Sequence, residues 1–256
     1  MWFLGGEVDT VEQIDALIDT NAAAGADLVK VMASGGALTP GGPSMWEGQF
    51  DRSDLAAIVT RATLHNLPVA AHAHGTVTIA DCVHAGVRTI EHCSWRTETA
   101  LVFDETVARE IVERDVAVCR CVSGDWRLFL QQLGDNAQPL LDAIQSMRAA
   151  GVRFIGGTDA GVPGAGFDDY VGMLEFFGEL GFSRPEIVDM ATSSNAAALG
   201  LTDTGRLTPG ARADLLVVRG SPLDGLTALR HPELIVAAGR RRSGIHRGGT
   251  TLRERP

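Results

Sequence analysis

Five times along the chain, a helical segment gives way to a Gly or Pro, then to a short apolar strand, then to a loop. The helical segments are 8–25, 53–65, 76–85, 104–114 and 138–150, where apolar residues recur at helical spacing. Ser53 is read as the cap that starts the second of them. The strands are 27–32, 69–75, 87–92, 116–121 and 152–159, runs dominated by Val, Ile and Ala. Near-continuous apolar strands are those buried on both faces. Strands that alternate with helices imply a parallel sheet with helices packed outside it. The pattern therefore predicts an α/β fold of the (β/α) barrel type, with about five of the eight strands such a barrel needs.

In that architecture reactive groups collect at the C-terminal ends of the strands. Four residues fall there: Lys30, His72, His92 and Asp159. Lys30 is the chain's only lysine, against twenty-one arginines. Arginine stays charged in proteins, whereas a buried lysine can lose its proton and act as a base or nucleophile. Taken singly, each residue has an ordinary reading: a snorkelling lysine, a hydrogen-bonded core histidine, an aspartate closing a turn. Taken as an ordered set at four strand ends, they predict a metal site. His74 shares a strand face with His72, because side chains alternate along a strand. It is placed either against substrate or behind the ligands.

Two imidazoles and a carboxylate suit zinc or a similar divalent ion. A neutral lysine amine can take up carbon dioxide as a carbamate, which turns a cation into an anion able to bridge two metals. Water activated by such an ion becomes a nucleophile near neutral pH. A nearby carboxylate can take its proton and pass it to a leaving group.

The remaining sequence is connective or terminal. Residues 34–50, rich in Gly and Pro and carrying Trp46, and 122–137, polar and irregular, read as loops able to shape a pocket. Helical stretches 168–180 and 184–200 follow. Strand-like segments near 215–218 and 235–240 predict a small C-terminal β appendage. The expected division is 1–201 for the barrel domain and 202–256 for the appendage and tail.

Net charge is −10, and the one basic block is Arg240-Arg241-Arg242, read as a solvated patch. That argues against nucleic acid as a partner. No apolar run is long enough to span a membrane, and residues 1–6 lack the marks of a signal peptide. The four cysteines form no CxxC pair and read as reduced thiols of a cytoplasmic protein.

The chain resembles the amidohydrolase superfamily of metal-dependent hydrolases, most of all its imidazolonepropionase and prolidase-like branch. The resemblance rests on Val29-Lys30-Val31-Met32-Ala33-Ser34-Gly35-Gly36, Val69-Ala70-Ala71-His72-Ala73-His74-Gly75, Thr89-Ile90-Glu91-His92-Cys93 and Gly156-Gly157-Thr158-Asp159-Ala160-Gly161. Ala191-Thr192, Asn195-Ala196-Ala197 and Gly210-Ala211-Arg212-Ala213-Asp214-Leu215 extend it. It implies that Lys30 is a carboxylated bridging lysine. His72 and His92 are then ligands of one or two Zn2+ ions, and Asp159 is both ligand and proton shuttle. The implied activity is hydrolysis of carbon–nitrogen bonds in a small-molecule substrate.

One departure matters. The family's first barrel strand carries a His-x-His pair, and nothing like it precedes Lys30. His72-Ala73-His74 follows the lysine strand and so is out of order for that role. The expectation is a fragment of a protein roughly 140–170 residues longer, prone to associate with itself through an open sheet edge. The alternative function is an impaired fragment that acts only as an association module.

Overall fold

The structure is a computed structural model that describes residues 6–242. Two compact units make up the chain, one running to Gly181 and the other starting at Phe182. In the first, the elements run α1 (Val11–Ala23), β1 (Val29–Met32), α2 (Arg52–Leu64), β2 (Val69–Gly75), α3 (Thr76–Ala85), β3 (Thr89–Arg96) and α4 (Glu105–Glu113). They continue as β4 (Ala117–Cys119), α5 (Trp126–Leu133), α6 (Ala137–Ala149), β5 (Arg153–Ile155) and α7 (Tyr170–Glu179). The five strands form one parallel sheet in chain order, β1-β2-β3-β4-β5. This is the α/β arrangement of a partial TIM-like barrel.

Strand register sorts the side chains into rows. Val31, Ala71, Ile90, Val118 and Phe154 are lateral partners across all five strands. All five are buried. The helices bury matching apolar stripes, such as Leu55, Ile58 and Ala62 on α2 and Leu140, Ala143, Ile144 and Met147 on α6. Successive helices pack side by side, α1 on α2, α2 on α3, α3 on α4 and α4 on α6. Because strand side chains alternate, the next row lies on the opposite face: Met32, His72, Glu91, Cys119 and Ile155. That row carries the chemistry.

Two local readings need correction. Helix α2 is capped by Asp51, not Ser53. The Asp51 carboxylate accepts from the Asp54 amide, Asp54 reaches back to the Asp51 amide, and the Ser53 hydroxyl donates to Asp51. Aspartate is as good a cap as serine, and the reciprocal pair needs a carboxylate three residues on. Segment 122–137 is not a loop throughout. It holds α5 and a 3-10 turn, Gly134–Asn136. Trp126 is buried there and stacks edge-on against Phe176 of α7 with ring centroids 5.6 Å apart. Tertiary packing of one aromatic outweighed a polar local composition.

The second unit starts with α8 (Arg184–Asp189), a π turn (Met190–Ser194) and α9 (Asn195–Ala198). A three-stranded antiparallel sheet follows, β6 (Leu215–Val218), β7 (Pro232–Ala237) and β8 (Arg240–Arg242). The arginine triplet is exposed, as expected, but forms an edge strand. Asp214 ties this unit together: its carboxylate accepts from the Ala238 amide, the Arg212 guanidinium and the Thr204 hydroxyl. Those three donors hold its pKa below the ordinary carboxylate value. Among the described residues no helix is long and apolar enough to cross a membrane. The reading of the chain's start, residues 1–5, lies outside the described residues.

Candidate metal centre

His72 and His74 stand two residues apart on β2, on the face away from the helices, and both are buried. His92 would not join them by simple alternation. Its register partner is Ala73, whose side chain belongs to the helix face. The backbone solves this. His92, Cys93 and Trp95 have φ of 68°, 47° and 55°, and the β2–β3 register slips between Ala73 and Gly75. Left-handed backbone in a non-glycine residue is uncommon and costs about 1–3 kcal/mol. Here it swings the His92 ring onto the site face, where it stacks on His74 with centroids 4.5 Å apart. His72 stands edge-on to both, at 4.6 Å.

One nitrogen from each of the three rings lies within 4.8 Å of the others. Neighbours fix two of the rings. His72 Nε2 lies 3.2 Å from the Gly35 carbonyl, to which it can only donate, leaving Nδ1 with its lone pair. His74 Nδ1 lies 2.6 Å from the Ser94 hydroxyl. Burial pushes the pKa of all three imidazoles down, that of His92 to about 2. The other imidazoles, Lys30, Arg96 and Arg120 push the same way on one or more of the rings. The rings are therefore neutral at physiological pH, the form that ligates metal. This donor set fits a divalent cation.

The two outer residues of the expected set flank this trio. Lys30 lies on the edge strand β1, in register with Ala70 and exposed. Its charge lowers the pKa of both His72 and His92. Asp159 lies four residues beyond the end of β5 rather than on the strand, with φ of 58°. Its charge works on His72 in the opposite direction, upward.

The loop after β1 folds back over this end of the sheet. The Ser34 hydroxyl accepts from the His74 amide at 3.0 Å, and Gln49 donates to the Met32 and Ser34 carbonyls. Gly35 has no room for a side chain: a Cβ there would sit 2.0 Å from the Pro43 carbonyl oxygen. A Cβ on Gly75 would sit 2.6 Å from the Trp46 carbonyl oxygen. Met45 of this loop lines a cavity of about 220 Å³ together with His74, His92 and Asp159.

The same cavity is lined by Arg96 and Arg120. Arg120 is buried, yet its Nε and Nη1 have no hydrogen-bond partner among the described residues, and neither does Arg96 Nε. Sequence reading passed over both, since two arginines among twenty-one carry no signal until their unpartnered nitrogens single them out.

Comparison with known proteins gives the family. The amidohydrolase family model matches residues 4–240. The ochratoxinase of Aspergillus niger is 28% identical over 239 residues, covering 89% of this chain and 48% of its own length. The imidazolonepropionase of Nocardia farcinica is 30% identical over 183 residues, covering 67% of this chain and 41% of its own. A crystal structure described as an amidohydrolase superposes with a TM-score of 0.81 at 29% identity, over 93% of this chain and 59% of that one. The chain thus spans about half the length of the curated relatives it matches.

Proposed function

We propose that this chain, which belongs to the amidohydrolase family, carries the metal-binding face of a hydrolase that cleaves carbon–nitrogen bonds in a small-molecule substrate. The observation that carries the proposal is the trio of neutral imidazoles, of which His74 and His92 line a cavity that also receives Asp159. His72 and His92 hold the cation, Zn2+ in this reading, one or two ions. His74, expected against substrate, is near enough to be a third ligand. When bound, the ion supplies a Lewis acid for a substrate carbonyl and acidifies water. Asp159 accepts the proton of the attacking water and returns it to the leaving nitrogen. Lys30 on β1, exposed here, would in a carboxylated form be the further ligand to such an ion.

Arg96 and Arg120 narrow the substrate. A buried guanidinium without a partner is costly, and a carboxylate is the group its fork fits. Both line the cavity together with His74 and His92. Amides bearing a free carboxylate, such as N-acyl amino acids and dipeptides, place that group on the arginines and the scissile bond beside the imidazoles.

Metal content and hydrolysis test the reading. The purified chain, grown with zinc, is expected to hold about one or two equivalents. His72→Ala and His92→Ala should lose most of that metal. Asp159→Asn should keep the imidazole-held metal while hydrolysing N-acyl amino acids about 100-fold more slowly or worse. A chain free of zinc after such growth, or one that hydrolyses none of these amides when zinc is bound, would refute it.

A further inference from the structure

Beside the histidines lies a second donor set. Glu91 and Cys119 follow His72 along the same lateral row of the sheet, and Cys121 stands two residues past Cys119. Side chains two apart on an extended strand are separated by about 6.6 Å along it. Here φ at Cys121 is 50°, and the turn brings its Sγ to 3.6 Å from Cys119 Sγ. Cys121 Sγ is also 3.5 Å from Glu91 Oε2. The three donor atoms all lie within 4.8 Å of one another, and both thiols are free.

These spacings are those of a tetrahedral site. Metal–sulfur bonds of about 2.3 Å and metal–oxygen bonds of about 2.0 Å give tetrahedron edges of ~3.8 Å between sulfurs and ~3.5 Å between sulfur and oxygen. Little would have to move to seat an ion. Glu91 is also pre-aimed: its other oxygen, Oε1, accepts from the Thr89 hydroxyl at 2.7 Å. That is the kind of outer support that orients a ligating carboxylate. Cys121 lines the cavity, so a fourth position faces open space.

We propose that Glu91, Cys119 and Cys121 form a second, thiolate-rich metal site that takes a thiophilic divalent cation such as zinc or cadmium. It shares no donor with the three histidines. Binding replaces the two thiol protons with metal–sulfur bonds and releases those protons to solvent.

Cobalt(II) separates the two sites because only sulfur ligands give a strong near-ultraviolet charge-transfer band. Metal-free, reduced chain titrated anaerobically with cobalt should develop that band. Cys119→Ser and Cys121→Ser should each weaken it, the double variant should abolish it, and His72→Ala should keep it. Glu91→Gln should keep the band with cobalt binding weakened tenfold or more. Cobalt bound to the unaltered chain without the band would overturn the proposal. So would a band surviving in the double serine variant, or one lost in His72→Ala. If the variants fail to fold, the unaltered chain still decides. Zinc should protect Cys119 and Cys121 from alkylation, read peptide by peptide, and equal labelling with and without zinc overturns the site. The histidine centre is read separately, by the zinc lost in His92→Ala.

Discussion

Three imidazoles at ring-stacking distance cannot all be charged, and burial already favours their neutral form. The unfolded chain has no such restraint. Below the ordinary imidazole value of 6.5 it takes up protons that the folded chain refuses, so stability falls with falling pH. For His92 the loss continues down to about 2. The sign follows from the depressed folded values: the contribution is whole above 6.5 and drains away below it. We expect the urea midpoint of the metal-free chain to drop between pH 7 and pH 5, and His92→Asn to flatten that drop. An unchanged slope in His92→Asn would show that this ring is not held neutral. Arg120 gives a second test at this scale. Arg120→Met removes a buried guanidinium with unpaired nitrogens and should raise stability by about 1–3 kcal/mol. The same change should raise KM for carboxylate-bearing amides at least tenfold, while a neutral amide is unaffected. A fall in stability would mean that the guanidinium has a partner that offsets its burial.

The loop after β1 acts as one body, because Ser34, Gly35 and Gln49 tie it to the ends of β1 and β2. Gly35→Ala forces it outward. We expect a loss of about 1–3 kcal/mol, together with weaker zinc binding, since the Gly35 carbonyl holds the His72 ring. Unchanged metal affinity in a folded Gly35→Ala protein would separate loop from site. At this level the sequence was a good guide to strands and a poorer one to their ends. Val69–Gly75 and Thr76–Ala85 were legible residue for residue, because burial on both faces and the Gly86 stop leave little choice. The convergence of His72 and His92 was legible from strand ends. The membership of His74 in the same trio was half legible, through alternation. What could not be read were the left-handed turns at His92 and Cys121, set by tertiary contacts that no local pattern encodes. Helix α5 was missed for a related reason. Trp126, Phe129, Leu130 and Leu133 do fall at helical spacing, but Gly, Asp and Gln residues around them masked it.

On the scale of the molecule, the parallel sheet has β1 and β5 as its two edges. Edge strands carry unpaired backbone donors and acceptors and invite pairing with another strand. β1 is short, and its one charged side chain is Lys30. We therefore expect the isolated chain to self-associate. Sedimentation at tens of micromolar should give a mass above the monomer's 27.1 kDa, rising with concentration. A single species of monomer mass across that range would show that the edges are protected. Self-association through β1 would leave His74 on β2 and His92 on β3 in place along the cavity.

His92, Cys121 and Asp159 share one trait: each sits in a backbone conformation that glycine would adopt more easily. Selecting variants of this chain for heat tolerance alone would thus tend to install glycine at these three positions. The survivors would be tougher and inert, so any such campaign needs turnover as a second filter from its first round.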